Sequence, residues 1–358
     1  MNFSNFKNKK ILITGHTGFK GTWLSICLLN LGAKIIGISL KPNINQKKIL
    51  KNLNKKKIKS YFFNIENFSK TKKTIIQNQP DYIFHLAAQP IVSLSFKKPL
   101  ETWKTNLIGT GNILESLRDL KKKCAIIIVT SDKCYEIKNN KKIVFFKETD
   151  ALGGNDPYSA SKASAEIIFK SYYKSFLKTK KNISIVSVRA GNIVGGGDWS
   201  KDRIIPDCVR SWTKKKSVYI RNPNSIRPWQ HILDAINGYL LLAKIISKSK
   251  KFNGQSFNFG PKKNSIKTVK QICEILKFYW PGKSKIKIKL KKQFNETKLL
   301  ALSVEKAKKK LKWKPILTLN KSLYLTAEWY QNYYKNFNIF DNYLQQIKYF
   351  KQLCKMKK

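Results

Sequence analysis

The sequence predicts an α/β fold, a doubly wound parallel sheet followed by a smaller, mixed C-terminal region. Three observations carry this reading. Short β-branched runs alternate with helix-length segments through the first half, a glycine-rich turn joins the first run to the first helix, and the rhythm becomes irregular after Gly191. Alternation of this kind means βαβ units, whose crossover helices pack on a parallel sheet.

In chain order, Ile11–Thr14 reads as the first strand, Gly21–Leu31 as the first helix and Ile35–Leu40 as the second strand. The lysine-rich stretch Lys47–Lys59 is expected to be exposed helix or loop. Tyr82–Leu86 is a strand, Glu101–Leu117 a helix and Ile126–Thr130 a strand. Tyr158–Leu177 reads as a long helix and Ile183–Arg189 as a further buried strand. Leu323–Lys358 carries Tyr, Phe and Trp at helical spacing, which predicts packing against the main body. The expected division is a Rossmann-type domain over residues 1–190, binding a dinucleotide, and a mainly substrate-binding region over 191–358, with some chain returning to the core.

Composition bounds the function. With 358 residues, 42% of them hydrophobic, the chain can form about two domains and a large core. Cys27, Cys124, Cys134, Cys208, Cys273 and Cys354 form no CxxC pair and no cluster with histidine, so neither a metal site nor a disulfide framework is expected. A reducing compartment follows. No apolar stretch approaches the ~18 residues of a membrane helix, which predicts a soluble, unprocessed, cytoplasmic protein without a membrane partner. The formal charge of +52 would suit nucleic acid. Only six of the 72 basic residues are arginine, however, and the lysines are dispersed among abundant Asn and Ile, all with A/T-rich codons. Nucleic-acid readers lean on arginine for bidentate contacts. A solvated lysine-rich surface is expected, and no nucleic-acid partner.

Two motifs carry chemistry. Gly15, Thr17, Gly18, Phe19, Lys20 and Gly21 form a GxxGxxG turn between strand and helix. Glycines let the backbone approach a pyrophosphate, whose charge then meets the helix N-terminus. The second strand ends in Ser39-Leu40-Lys41 without an acid for the ribose 2′-hydroxyl, so this feature leaves NAD and NADP open. The second motif joins Tyr158 and Lys162, on one helix face, to Ser131 at a strand end. There the ammonium is expected to stabilise a phenolate and lower the tyrosine pKa.

Longer phrases support a resemblance. ITGHTGFKGTWLS (13–25), HLAAQP (85–90), TNLIGT (105–110), VTSDKCYE (129–136), DALGGNDPYSASKASAE (150–166), RAGNIVGGGDW (189–199), DRIIPDCVR (202–210), IRNPNSIRPWQH (220–231) and NFGP (258–261) are similar to those of the CDP-glucose 4,6-dehydratases, which are extended short-chain dehydrogenases. All three histidines, His16, His85 and His231, fall within these phrases. The resemblance implies NAD as cofactor, a nucleotide-sugar substrate, deoxysugar and O-antigen biosynthesis as the setting, and a homodimer or dimer of dimers. It implies cofactor contacts at Gly15, Thr17, Gly18, Phe19, Lys20, Gly21, Asn64, Ile65, Ala87, Ala88, Gln89, Asn106, Tyr158 and Lys162, and substrate contacts at Asn192, Arg203, Arg227 and His231, with the Gly195-Gly196-Gly197 turn giving close backbone approach. Ser131 orients the substrate, Asp132 is the acid, Lys133 the base, and Tyr158 with Lys162 the redox pair.

Ser131-Asp132-Lys133 separates the readings. The deoxythymidine-linked relatives resemble one another in having Thr-Asp-Glu there, and a 4-epimerase needs no acid–base pair at this point. A basic nucleic-acid-binding protein needs only charge. The chain departs from the resemblance at Asn64, where the family has aspartate, and at Asn295-Glu296 and Ser303, where it has His-Glu and Asp. Asn64 still offers a carbonyl acceptor.

Overall fold

Every residue of Cys124–Val129 and Ile183–Ala190 is buried, as β-branched runs must be when helices cover both faces of a parallel sheet. The computed structural model describes residues 3–54, 58–137, 144–282, 284–289 and 300–356. The chain runs β1 (Lys10–Thr14), α1 (Phe19–Leu29), β2 (Lys34–Ser39), α2 (Ile44–Asn54), β3 (Ile58–Phe62), α3 (Phe68–Asn78) and β4 (Tyr82–His85). Helices α4 (Val92–Lys97) and α5 (Pro99–Trp103), a π-helical turn at Lys104–Ile108 and α6 (Gly109–Ser116) precede β5 (Cys124–Val129). A 3₁₀ turn at Asp132–Cys134 and β6 (Phe145–Phe146) lead to α7 (Pro157–Tyr172), a π-helical turn at Tyr173–Leu177 and β7 (Ile183–Ala190). Then come β8 (Asn192–Val194), α8 (Ile204–Thr213), β9 (Val218–Ile220), β10 (Ile226–His231), α9 (Ile232–Lys248), β11 (Ser256–Phe259), β12 (Ile266–Thr268) and α10 (Val269–Phe278). The rest comprises β13 (Ile286–Ile288), β14 (Ala301–Leu302), α11 (Glu305–Leu311), α12 (Leu319–Tyr334) and α13 (Ile339–Met356).

Seven strands form the main sheet in the order β11-β7-β5-β4-β1-β2-β3, each pair parallel, which is the expected Rossmann-type sheet. Alternation along each strand sorts side chains to two faces. Leu12, Ile83, Ile126 and Ile185 join one apolar cluster with Ile75, Ile113 and Phe169 of α3, α6 and α7. Ile11, Ile13, Phe84, Ile127 and Val186 join another with Leu24 of α1 and Tyr239 of α9. Strand order reverses between β1 and β4, and a cleft opens at the C-terminal ends of the strands there.

Beyond Ala190, β11 extends this sheet and α9 packs on it, whereas β8, β10 and β12 make a separate three-stranded sheet. The C-terminal aromatic segment forms α12 and α13 and packs on the body as expected: Trp329, Tyr330 and Tyr343 are buried, and Tyr343 meets Trp23 of α1 edge-on at 4.5 Å. Two local expectations need correction. The lysine-rich stretch is helical to Asn54, but Ile58 and Lys59 belong to the edge strand β3, whose half-exposed residues hide the strand signal. The helix expected over Glu101–Leu117 is interrupted by its π-helical turn, after which Gly109 packs against Ile65, 2.6 Å from where a Cβ would stand. Asn295-Glu296 lie outside the described residues; Ser303 donates its N–H to the Phe146 carbonyl beside β6 and β14.

Candidate active site

The cleft has a volume of ≈ 790 Å³, and its first wall is the glycine turn. Gly15 adopts φ +72°, and a Cβ there would stand 3.0 Å from the Ala87 nitrogen. A Cβ on Gly21 would overlap the Gly15 carbonyl. Only bare backbone lets β1, β4 and α1 meet this closely. Gly18 caps α1 without a side-chain hydrogen bond, so the helix N-terminus faces the cleft and fits a dinucleotide pyrophosphate. Thr17 donates to Ser39 at 3.0 Å, and Thr17, Phe19, Lys20, Asn64, Ile65, Ala87 and Ala88 all line the cleft. The Asn64 carbonyl oxygen already accepts from the Glu66 N–H at 3.2 Å.

Opposite stand Ser131, Asp132, Lys133, Tyr158 and Lys162. Ser131 ends β5 and caps the 3₁₀ turn: its hydroxyl donates to Asp132 Oδ1 at 3.0 Å and accepts from the Lys133 N–H at 3.2 Å. Asp156 caps α7 by accepting from the Ser159 N–H at 2.9 Å, with Pro157 in the first turn. This cap sets Tyr158 and, one turn on, Lys162 toward the cleft. Burial holds the Asp132 carboxyl above its ordinary pKa, against the pull of Lys133, the Ser131 hydrogen bond, Lys20 and Arg227. A Cβ on Gly191 would lie 3.1 Å from Asp132 Oδ2, so glycine leaves this carboxyl its room.

The electrostatics of Tyr158 and Lys162 reverse one expectation. Burial, reinforced by Lys20, brings Lys162 down to about 7. Burial pushes Tyr158 up to about 12, although a hydrogen bond with Ser131 and the charge of Arg203 oppose it. Desolvation therefore dominates at both groups, raising the tyrosine and lowering the lysine. Lys20, brought down to about 8 by burial and Arg203, reaches past the backbone cradle into the field of Asp132 and Asp198.

From the second region, Asn192, Arg203 and Arg227 line the cleft. Arg203 pairs with Asp198 at 3.0 Å, while Arg227 is buried. Three expected residues do not line it. Gln89 accepts into its backbone a bond from the Asn106 amide, and its own N–H donates to Asn106 Oδ1 at 2.8 Å; Asn106 also donates to Ser161. The two brace the wall from behind. His231 caps α9, with Nδ1 accepting from the Leu233 N–H at 3.2 Å, and burial brings its pKa to about 3. His85 is likewise structural, its ring nitrogens 2.8 and 3.1 Å from the Thr14 and Thr110 hydroxyls. Gly195 and Gly197 of the Gly195-Gly196-Gly197 turn line the cleft, and packing also requires the turn to be bare. Side chains at Gly196 and Gly197 would overlap Trp329 and the Tyr343 hydroxyl, and Trp23 donates to the Gly196 carbonyl at 2.9 Å.

Residues 12–325 match the model of the family described as GDP-mannose 4,6 dehydratase. The chain belongs to this dehydratase family. CDP-glucose 4,6-dehydratase of Salmonella typhimurium is 37% identical over 332 residues, 91% of each chain. UDP-glucose 4-epimerase of Mycoplasma genitalium is 25% identical over 345 residues, 91% of this chain and 98% of that one. Among solved structures, dTDP-glucose 4,6-dehydratase of Bacillus anthracis, in complex with NAD, aligns with TM-score 0.74 at 23% identity over 93% of this chain and 99% of that one. Identity this low shows the shared fold alone. Within this member of the dehydratase family, sequence reasoning missed Asp198, which orients Arg203, and Glu166, which lies buried one turn beyond Lys162. A charge on the buried face of the α7 helix was the available signal for Glu166.

Proposed function

We propose that the protein converts CDP-glucose to CDP-4-dehydro-6-deoxyglucose and water, with NAD restored in each turnover. The observation that carries this is one cleft in which the Asp132–Lys133 turn faces the Tyr158–Lys162 pair across Ser131. The identity with CDP-glucose 4,6-dehydratase supports the cytidine-linked hexose as substrate. The glycine turn with Thr17, Phe19, Lys20, Asn64, Ile65, Ala87 and Ala88 holds the cofactor. Bound NAD supplies a hydride acceptor for C4, the hydride returned to C6, and a positive charge that favours the Tyr158 phenolate.

Ser131 orients the C4 hydroxyl and Tyr158 takes its proton, with Lys162 stabilising the phenolate by charge when protonated. The 4-ketone acidifies C5. Lys133 removes the C5 proton, and Asp132, whose hold on its proton burial strengthens, delivers a proton to the departing C6 hydroxyl, which leaves as water. Asp132, reprotonated by the Lys133 ammonium, or a water then returns a proton to C5, and the proton held by Tyr158 passes through solvent to restore Asp132. Asn192, Arg203 and Arg227 hold the sugar diphosphate, the arginines by their planar forks. Residues 1–190 thus carry the cofactor and catalytic half, and 191–358 mainly the substrate half.

The protein works in the cytoplasm, in deoxysugar and O-antigen synthesis, as a homodimer or dimer of dimers. Exposed Leu100 and Ile108 near α5 and Ile167 on α7 leave an apolar surface that a partner copy covers. Light scattering at micromolar concentration should show at least a dimer, and a monomer would refute the assembly. The function is tested by incubating the protein and NAD with a panel of nucleotide-glucoses and measuring mass. CDP-glucose should lose one water without net loss of NAD; a product of unchanged mass would make the protein an epimerase.

A further inference from the structure

Behind the cleft lies a polar network that the proposed chemistry does not use. Glu166 and Arg189 form a 2.7 Å ion pair with both side chains at 0% exposure. Glu166 accepts from Thr130 at 2.5 Å, from Ser187 at 2.8 Å and from Ser256 at 3.1 Å. Arg189 donates to the Tyr135 hydroxyl at 2.7 Å and stacks over that ring at 4.8 Å, and the same hydroxyl donates to Asn258 Oδ1 at 2.7 Å. Tyr135 also stacks on Phe146 at 4.9 Å. Two charges taken fully out of water are expensive, and an apolar replacement of equal volume is often as stable. Stability alone therefore does not account for the pair.

Its connections do. Thr130 immediately precedes Ser131, and Tyr135 immediately follows Cys134, so the segment bearing Ser131, Asp132 and Lys133 is tied at both ends to one ion pair. Glu166 sits four residues beyond Lys162 on α7, so the same pair fixes the turn against the helix that carries Tyr158 and Lys162. Glu166, Arg189 and Tyr135 are absent from the lining of the cleft, and so act through the residues they hold. We propose that the Glu166–Arg189 pair is a positioning unit with two arms: Thr130 places Ser131 for oxidation at C4, and Tyr135 places Asp132 and Lys133 for elimination across C5 and C6.

The proposal rests on the dehydratase reading, and its test separates the two. Thr130→Val and Tyr135→Phe each remove one hydroxyl and keep the shape, which keeps the test open if Glu166→Gln fails to fold. With CDP-glucose and NAD, Thr130→Val should slow the first appearance of reduced nicotinamide about tenfold or more, because small misplacements of reacting groups are costly. Tyr135→Phe should oxidise C4 at near the wild-type rate yet accumulate reduced cofactor and lose C5 exchange with solvent. KM should change little in either. Hydrogen exchange of residues 130–135, measured without substrate, should quicken in both variants while the Gly15–Gly21 turn stays protected. Wild-type protein that dehydrates no nucleotide-hexose refutes the function, whereas the exchange result still decides the clamp. Unchanged exchange in residues 130–135, or equal loss of both half-reactions tracking only a lowered melting temperature, would overturn the proposal.

Discussion

Tyr158 shows how far a residue's chemistry can be read before its surroundings are known. Its type, its spacing from Lys162 and its place beside Ser131 were legible, but its ionisation was not, because burial acts on both partners and no sequence pattern reports it. Tyr158→Phe should lower turnover by roughly 10²–10⁴, with no reduced cofactor formed, since only the phenolic oxygen is lost. A variant retaining a tenth of the activity would contradict its role. Lys162, near 7 in the free protein, should appear as an ionisation in the pH profile of kcat/KM. Lys20 is a positive neighbour that helps lower it, so Lys20→Met should move that ionisation to higher pH; a shift to lower pH would show that Lys20 does not act on Lys162 by charge. His231 marks the converse failure. A scarce histidine in a matching phrase looked like a ligand, yet its ring is taken up by the first turn of α9.

At the scale of elements, local signals were read well and distant partners poorly. The strand–glycine–helix opening and the Asp156-Pro157 start of α7 are defined by neighbours in sequence, so β1, α1 and α7 were legible. The triple-glycine turn was visible, but Trp329 and Tyr343, which occupy the space its missing side chains leave, come from helices far along the chain. The edge strand β3 escaped notice because half-exposed strands alternate weakly and its lysine looks like its exposed surroundings. Gly196→Ala should therefore destabilise by about 1–3 kcal/mol or more, since a methyl group forced into a packed site displaces its neighbours. An unchanged melting temperature would mean that Trp329 yields freely and does not fix this turn.

For the whole molecule, a doubly wound parallel sheet was legible from alternation and the glycine turn, whereas the strand order, with β3 and β11 at its edges, was not, and the buried ion pair behind the cleft joins residues that no local pattern links. That pair makes stability depend on pH. Burial pushes the Glu166 carboxyl up, but Arg189 and hydrogen bonds from Thr130 and Ser187 bring it below its ordinary value of 4.5. A carboxyl lowered on folding stabilises fully above its unfolded pKa and loses that contribution as pH falls through the folded one. Asp132, held above its ordinary value by burial, contributes the opposite slope. Urea unfolding of wild type and Glu166→Gln should thus diverge least in the acid range below about pH 4.5 and most above it; a difference that grows on acidification would contradict the assignment of a charged Glu166. The central claim, that this cleft oxidises, eliminates and reduces in sequence, is tested most directly by Lys133→Ala, assayed with CDP-glucose deuterated at C5. The variant should oxidise C4 through Ser131, Tyr158 and Lys162, accumulate reduced cofactor and the 4-keto sugar, and eliminate water roughly 10²–10⁴ times more slowly, with C5 exchange falling in parallel. Dehydration at near the wild-type rate with C5 exchange intact would place the base elsewhere and contradict the account.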